Sequence, residues 1–249
     1  MAMSRIIPVL LVRDKGLIKT VKFREDKYIG DPINAVKIFN EKKVDELIIL
    51  DIDATSQSRE PNFSLIESIA SQCRSPLCYG GGVNSVDVAK KILSLGVEKV
   101  AVSAEGIRNV SFLKQLVTTI GSQSVVVVLD IKKKFLGGYE IMTLNGTEKT
   151  GYAPIEYLKK IRDIGVGEIV LNSIDNDGMM TGYPFDLFDQ LKKYIDVPMT
   201  ILGGAGSERD LKSAVSRYGT VGVAAGSYFI YKGKYKAVLI DYPQNPREI

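Results

Sequence analysis

Asp45-Glu-Leu-Ile-Ile-Leu-Asp-Ile-Asp53 in the first half of the chain is matched in the second by Gly167-Glu-Ile-Val-Leu-Asn-Ser-Ile-Asp175. Each run has a glutamate in second place, a block of large aliphatic residues and a terminal aspartate. Downstream, at nearly the same offset, Pro76-Leu-Cys-Tyr-Gly-Gly-Gly82 is echoed by Pro198-Met-Thr-Ile-Leu-Gly-Gly-Ala-Gly206. Each glycine cluster leads into a helical pattern and then a strand ending in small residues, Val102-Ser-Ala104 and Ala224-Ala-Gly-Ser227. A supersecondary unit that recurs this way predicts two similar halves.

Working outward, strand-like runs fall near residues 5–12, 46–53, 76–80, 99–103, 124–130, 168–174, 197–202 and 222–225. Helical patterns fill most of the gaps, among them 32–43, 85–95, 155–164, 185–194 and 207–218. Strands that alternate with helices imply a parallel sheet, and strands apolar along both faces imply burial on both sides. The count predicts a closed α/β barrel, a single (β/α)8 domain over residues 1–249 made of two half-barrels.

Composition narrows the chemistry. The chain has no histidine, so Ser-His-Asp catalysis and histidine-based metal sites are excluded, and acid–base work falls to Asp, Glu, Lys, Tyr or Cys. No metal and no cofactor is expected. A formal charge of +4 suits an anionic ligand and is too small and dispersed for nucleic acid. The longest apolar runs, 6–12 and 125–129, are strand-sized, so no membrane partner is expected. Two cysteines, Cys73 and Cys78, with no signal-like segment before them predict a cytoplasmic protein with reduced, buried thiols.

Gly80-Gly-Gly82 and Gly203-Gly-Ala-Gly206 end strands at the barrel's catalytic face. They serve either as tight turns or as cradles where backbone N–H groups approach a phosphate. Duplication favours two phosphates, one per half. Asp130 ends strand five; Asp51, Asp53, Asp175 and Asp177 end strands two and six, as acid–base groups or as loop caps. Residues 16–31, polar and long, carry Lys19 and read as a flap over the site or a solvated loop.

Taken together, Arg5-Ile-Ile-Pro8, Gly30-Asp-Pro32, Asp45-Glu-Leu47, Gly80-Gly-Gly82, Gly121-Ser-Gln-Ser-Val125, Asp175-Asn-Asp-Gly178 and Gly203-Gly-Ala-Gly206 resemble the cyclase subunit of imidazole glycerol phosphate synthase along nearly the whole chain. The resemblance implies a glutaminase partner whose ammonia crosses the barrel to a substrate bearing two phosphates. It implies that Gly81, Gly82, Ser103 and Ala104 hold one phosphate and that Asp177, Gly178, Gly204, Ala225 and Gly226 hold the other, with Lys19 closing over the substrate. Arg5, Glu46, Lys99 and Glu168, at the opposite ends of their strands, match the family's ammonia gate, and Glu98 matches an acidic residue facing the glutaminase. An ionic ring there also serves a purely structural purpose in barrels.

One departure weighs most. The family uses two aspartates as general acid and base; Asp130 is in place, and the strand-one position is Leu11. Ser103 stands where the family usually has asparagine, and Leu202 where it has a small polar residue. Leu11-Val-Arg-Asp14, together with Gly226-Ser-Tyr-Phe229 and Gly233-Lys234, resembles a divergent branch associated with bacterial surface polysaccharide synthesis. That branch implies ammonia delivery to a third enzyme, which converts an acetamido sugar to an acetamidino sugar. The alternatives are a working cyclase of histidine synthesis, with water or Asp51 replacing the lost aspartate, and a non-catalytic barrel that docks and activates the glutaminase.

Overall fold

A computed structural model describes residues 4–243 together with Pro246 and Ile249. Eight strands form the barrel: β1 Arg5–Arg13, β2 Leu47–Asp51, β3 Leu77–Gly80, β4 Lys99–Val102, β5 Val125–Lys133, β6 Glu168–Ser173, β7 Met199–Leu202 and β8 Gly222–Ala225. Each pairs in parallel with the next, and β8 returns to β1 through Arg5↔Gly222 and Pro8↔Ala225. The sheet is therefore closed, as the repeat predicts. Between the strands run α1 Pro32–Lys42, α2 Phe63–Gln72, α3 Val86–Ser94, α4 Val110–Ile120, α5 Pro154–Ile161, α6 Phe185–Lys192 and α7 Glu208–Tyr218.

Side-chain alternation sorts the strand residues into two cores. On β1, Ile6, Leu10 and Val12 face the helices, while Ile7, Val9 and Leu11 face the lumen. The lumen is lined from all sides by residues such as Ile48, Cys78, Val126 and Val170, so it is an apolar column. Burial lifts the Cys78 thiol well above its ordinary range. The two halves also share their caps. Ser85 and Ser207 precede α3 and α7 with φ of −149° and −151°, and each hydroxyl accepts the N–H three residues on, Val88 at 3.2 Å and Asp210 at 3.3 Å.

Residues 16–31 differ from the expected loop. They form an antiparallel ribbon, Gly16–Val21 with Arg24–Gly30, that continues from the end of β1 through Leu11↔Ile18 and Val12↔Leu17. Asp14 and Lys15 take φ of +46° and +73°, as do Lys22 and Phe23 at +54° and +61°. Left-handed residues in pairs are what two-residue hairpin turns of the right twist require. Leu17 and Ile18 are buried, which anchors the ribbon to the barrel rim. A second ribbon leaves the rim where β5 runs past the barrel and pairs with Tyr139–Thr143.

Candidate functional site

A cavity of about 430 Å³ opens at the C-terminal ends of the strands. Its floor is the top of the lumen: Val9, Leu11, Leu50, Val128 and Leu202. Lys19, Ser103, Asp130, Asn172 and Asp177 supply polar groups around that floor, and Arg59 and Arg108 also line the cavity.

The first-half cradle is open. Gly81, Gly82, Ser103 and Ala104 all line the cavity. Gly81 sits at φ +118°, and a Cβ there would lie 2.8 Å from that of Asp51, so only glycine fits. The Gly82 N–H donates to Thr55 Oγ1 at 3.1 Å. Ser103 Oγ is buried without a partner, leaving a hydroxyl ready for a ligand.

The second-half set is only partly brought to the cavity. Asp177 and Gly226 line it; Gly178, Gly204 and Ala225 do not. The first ribbon lies over this side: Thr20 Oγ1 donates to Asp177 Oδ2 at 2.8 Å, and Lys22 N to Asp177 O at 2.9 Å. Gly204 O accepts from Gly182 N at 2.8 Å. Lys19 is buried against Gly226, its Nζ donating to Val9 O at 2.7 Å. Burial lowers its amine to about 8, against the pull of Asp177.

Asp130 and Asn172 sit side by side in the β5–β6 register, and Asn172 Nδ2 donates to Asp130 Oδ1 at 2.8 Å. Burial raises the Asp130 carboxyl to about 6, with Asp177 adding to the rise and the Asn172 bond opposing it. A carboxyl near neutrality can accept or return a proton. Asn172 Oδ1 is buried with no partner, a second open group. Sequence reading passed over Asn172; the available signal was an amide directly following the aliphatic run Ile169–Leu171.

Asp51 and Asp53 are committed elsewhere. Asp51 Oδ1 accepts from the Asp53 N–H at 3.2 Å, the Ala54 N–H at 3.1 Å and Arg59 Nη2 at 2.9 Å. Asp53 takes a two-pronged bond from Arg13 at 2.7 and 3.2 Å. Asp175 Oδ2 accepts the Lys133 N–H at 2.7 Å. These are cap and loop-tying duties, the structural alternative left open for Asp51 and Asp53. Among the described residues no group of three or more Cys, Asp or Glu side chains converges as a metal site.

At the other end of the lumen, Arg5, Glu46, Lys99 and Glu168 close a four-membered ring. Arg5 bonds Glu46 and reaches Glu168 at 2.9 Å, while Lys99 reaches Glu46 at 2.7 Å and Glu168 at 3.0 Å. Burial alone would raise Glu168, yet Arg5, Lys99 and a 2.5 Å bond from Thr200 Oγ1 hold it below the usual carboxylate range. Thr200 was not singled out from sequence. It fits because its neighbour Gly222 has no Cβ to strike it. Glu98 is exposed and directly precedes Lys99, the first residue of β4.

Comparison with known proteins follows the same outline. A family model described as histidine biosynthesis protein matches residues 5–236. A protein of Vibrio vulnificus, provisionally named imidazole glycerol phosphate synthase subunit hisF3, is 54% identical over 98% of this chain and 94% of its own length. A provisionally named HisF subunit of Leptospira borgpetersenii is 51% identical over 98% of this chain and 96% of its own. The imidazole glycerol phosphate synthase subunit HisF of Streptococcus mutans is 35% identical over 93% and 92%.

Proposed function

This chain belongs to the histidine biosynthesis protein family, among the imidazole glycerol phosphate synthase subunits, and we propose that it delivers ammonia rather than completing the cyclase reaction. The observation that carries this reading is Leu11. It lies on the floor of the cavity that holds Asp130, where a second carboxylate would be needed for paired acid–base catalysis. A leucine can neither give nor take a proton. Asp51, the residue the sequence offers as a stand-in, already accepts three donors on one oxygen.

The rest of the barrel suits passage and docking. A glutaminase partner seats on the end that presents Glu98 and the Arg5–Glu46–Lys99–Glu168 ring. There it hydrolyses glutamine, and neutral ammonia passes the ring into the apolar lumen. Ammonium is refused, because an unpaired charge in that column would lose its hydration without compensation. The ammonia emerges at the cavity, where a phosphorylated ligand held at Gly81, Gly82, Ser103 and Ala104 occupies the open cradle. A third enzyme then takes the ammonia to form an amidine on an acetamido sugar of a surface polysaccharide, with water as the other product.

A second reading, a working cyclase, is favoured by one observation: Asp130 is retained with its carboxyl raised to about 6. Co-purification with a family glutaminase tests docking and ammonia delivery. The chain should raise glutamine hydrolysis at least tenfold, and replacing Glu98 by lysine should weaken the complex. A glutaminase that neither binds nor responds to the chain contradicts the reading.

A further inference from the structure

β5 does not stop at the barrel rim. Past Asp130 it becomes one arm of the second ribbon, with Asp130 opposite Met142 and Lys133 opposite Tyr139. The arms are joined by Lys134-Phe-Leu-Gly-Gly138. That turn is folded on itself: Lys134 N donates to Gly138 O at 3.0 Å and Gly137 N to Lys134 O at 3.2 Å, with Gly137 and Gly138 at φ of +92° and +75°. The fold of the turn leaves its two large apolar side chains in water, Phe135 at 102% and Leu136 at 94% exposure. Lys132, Lys133 and Lys134 precede them, and none has an ion-pair partner among the described residues.

We propose that this tip, residues 132–136, docks on an anionic lipid surface, Phe135 and Leu136 entering below the headgroups and the three lysines lying among them. The order of side chains is the argument. An apolar apex with cations directly behind it matches the depth profile of a bilayer interface, and lysine stems can lie along apolar matter while their amines stay with the headgroups. The apex, residues 134–138, carries no amide, hydroxyl or carboxylate side chain that would specify a protein pocket by directional hydrogen bonds; Tyr139 and Glu140 lie behind it, opposite Lys133 and Lys132. Among the described residues no helix is long and apolar enough to cross a membrane, and a surface contact needs none. Because the ribbon rises from the cavity rim, docking turns the cavity mouth toward the lipid. The proposal stands apart from the ammonia reading and survives its failure.

The chain has no tryptophan, so Phe135→Trp places a single reporter at the apex of the full-length protein. It is mixed with vesicles of phosphatidylcholine alone, or with roughly one third phosphatidylglycerol. The expected result is a blue shift and co-sedimentation with the anionic vesicles only, weakening as salt is raised. Replacing the three lysines by glutamine should cut binding about a hundredfold, at about fivefold per lysine. Leu136→Ser should weaken it further. No shift and no sedimentation with anionic vesicles would overturn the proposal and leave a protein contact as the use of the tip. Binding that ignores the glutamine variant would overturn it equally.

Discussion

Asn172 donates its side-chain amide to Asp130 across the β5–β6 register at 2.8 Å. The bond fixes one carboxylate oxygen and, by the same geometry, turns Asn172 Oδ1 inward without a partner. Asp130 is thus oriented and poised near neutrality, while Leu11 in the same cavity offers it no acid–base partner. On the proposed reading, Asp130 is one half of a proton-transferring pair, positioned by Asn172.

Asp130→Asn should stabilise the protein at neutral pH. With a folded value of about 6 against an unfolded value of about 4, the folded chain holds a proton that the unfolded chain has lost. Stability from this group therefore falls as pH rises between those values. The cost at pH 7.5 is up to about 3 kcal/mol, the cavity's own water screening part of it. Thermal unfolding should show the variant more stable at pH 7.5 and the gap closing near pH 4. A variant less stable at every pH would contradict this.

Glu168→Gln should act with the opposite sign. Its carboxylate is held low by Arg5, Lys99 and Thr200 against burial, so its contribution is full above the unfolded value and fades as acid titrates the folded form. Removing it leaves Arg5 and Lys99 short of a counter-charge, at a cost of about 3 kcal/mol. Urea unfolding at pH 7 should show that loss, and the difference from the parent should shrink as the pH falls below the ordinary glutamate range.

Gly81→Ala tests the open cradle. The residue would take φ +118° with its Cβ 2.8 Å from that of Asp51. Strain and crowding together should cost about 3 kcal/mol. Millimolar inorganic phosphate should raise the melting temperature of the parent and leave that of the variant unchanged. An equal rise in both would remove phosphate from this cradle.

The barrel was legible because its signals are periodic and doubled. The glycine clusters and the aliphatic strands recur at matched offsets, and the structure returns them as a closed eight-stranded sheet. The ring was legible through resemblance, since Arg5, Glu46, Lys99 and Glu168 each stand at a strand start. The first ribbon was not. Its turns use Asp14-Lys15 and Lys22-Phe23 in left-handed conformations, without the Asn-Gly or Asp-Gly pair that announces such turns. Asn172 and Thr200 were hidden for another reason. Their duties come from cross-strand neighbours, Asp130 and Glu168, and a linear pattern does not show which strands meet. The closing of the ribbon over Gly178 is likewise a tertiary event.

The central claim is that Leu11 has taken this barrel out of cyclase chemistry. Its most direct test is turnover of the family's bisphosphorylated substrate by the purified chain with excess ammonium salt, with a Leu11→Asp variant alongside and binding measured separately. The account predicts no turnover by the parent although ligand binds, and a gain in the variant that restores a second carboxylate to the cavity. Turnover by the parent chain itself would contradict it and return the protein to histidine synthesis.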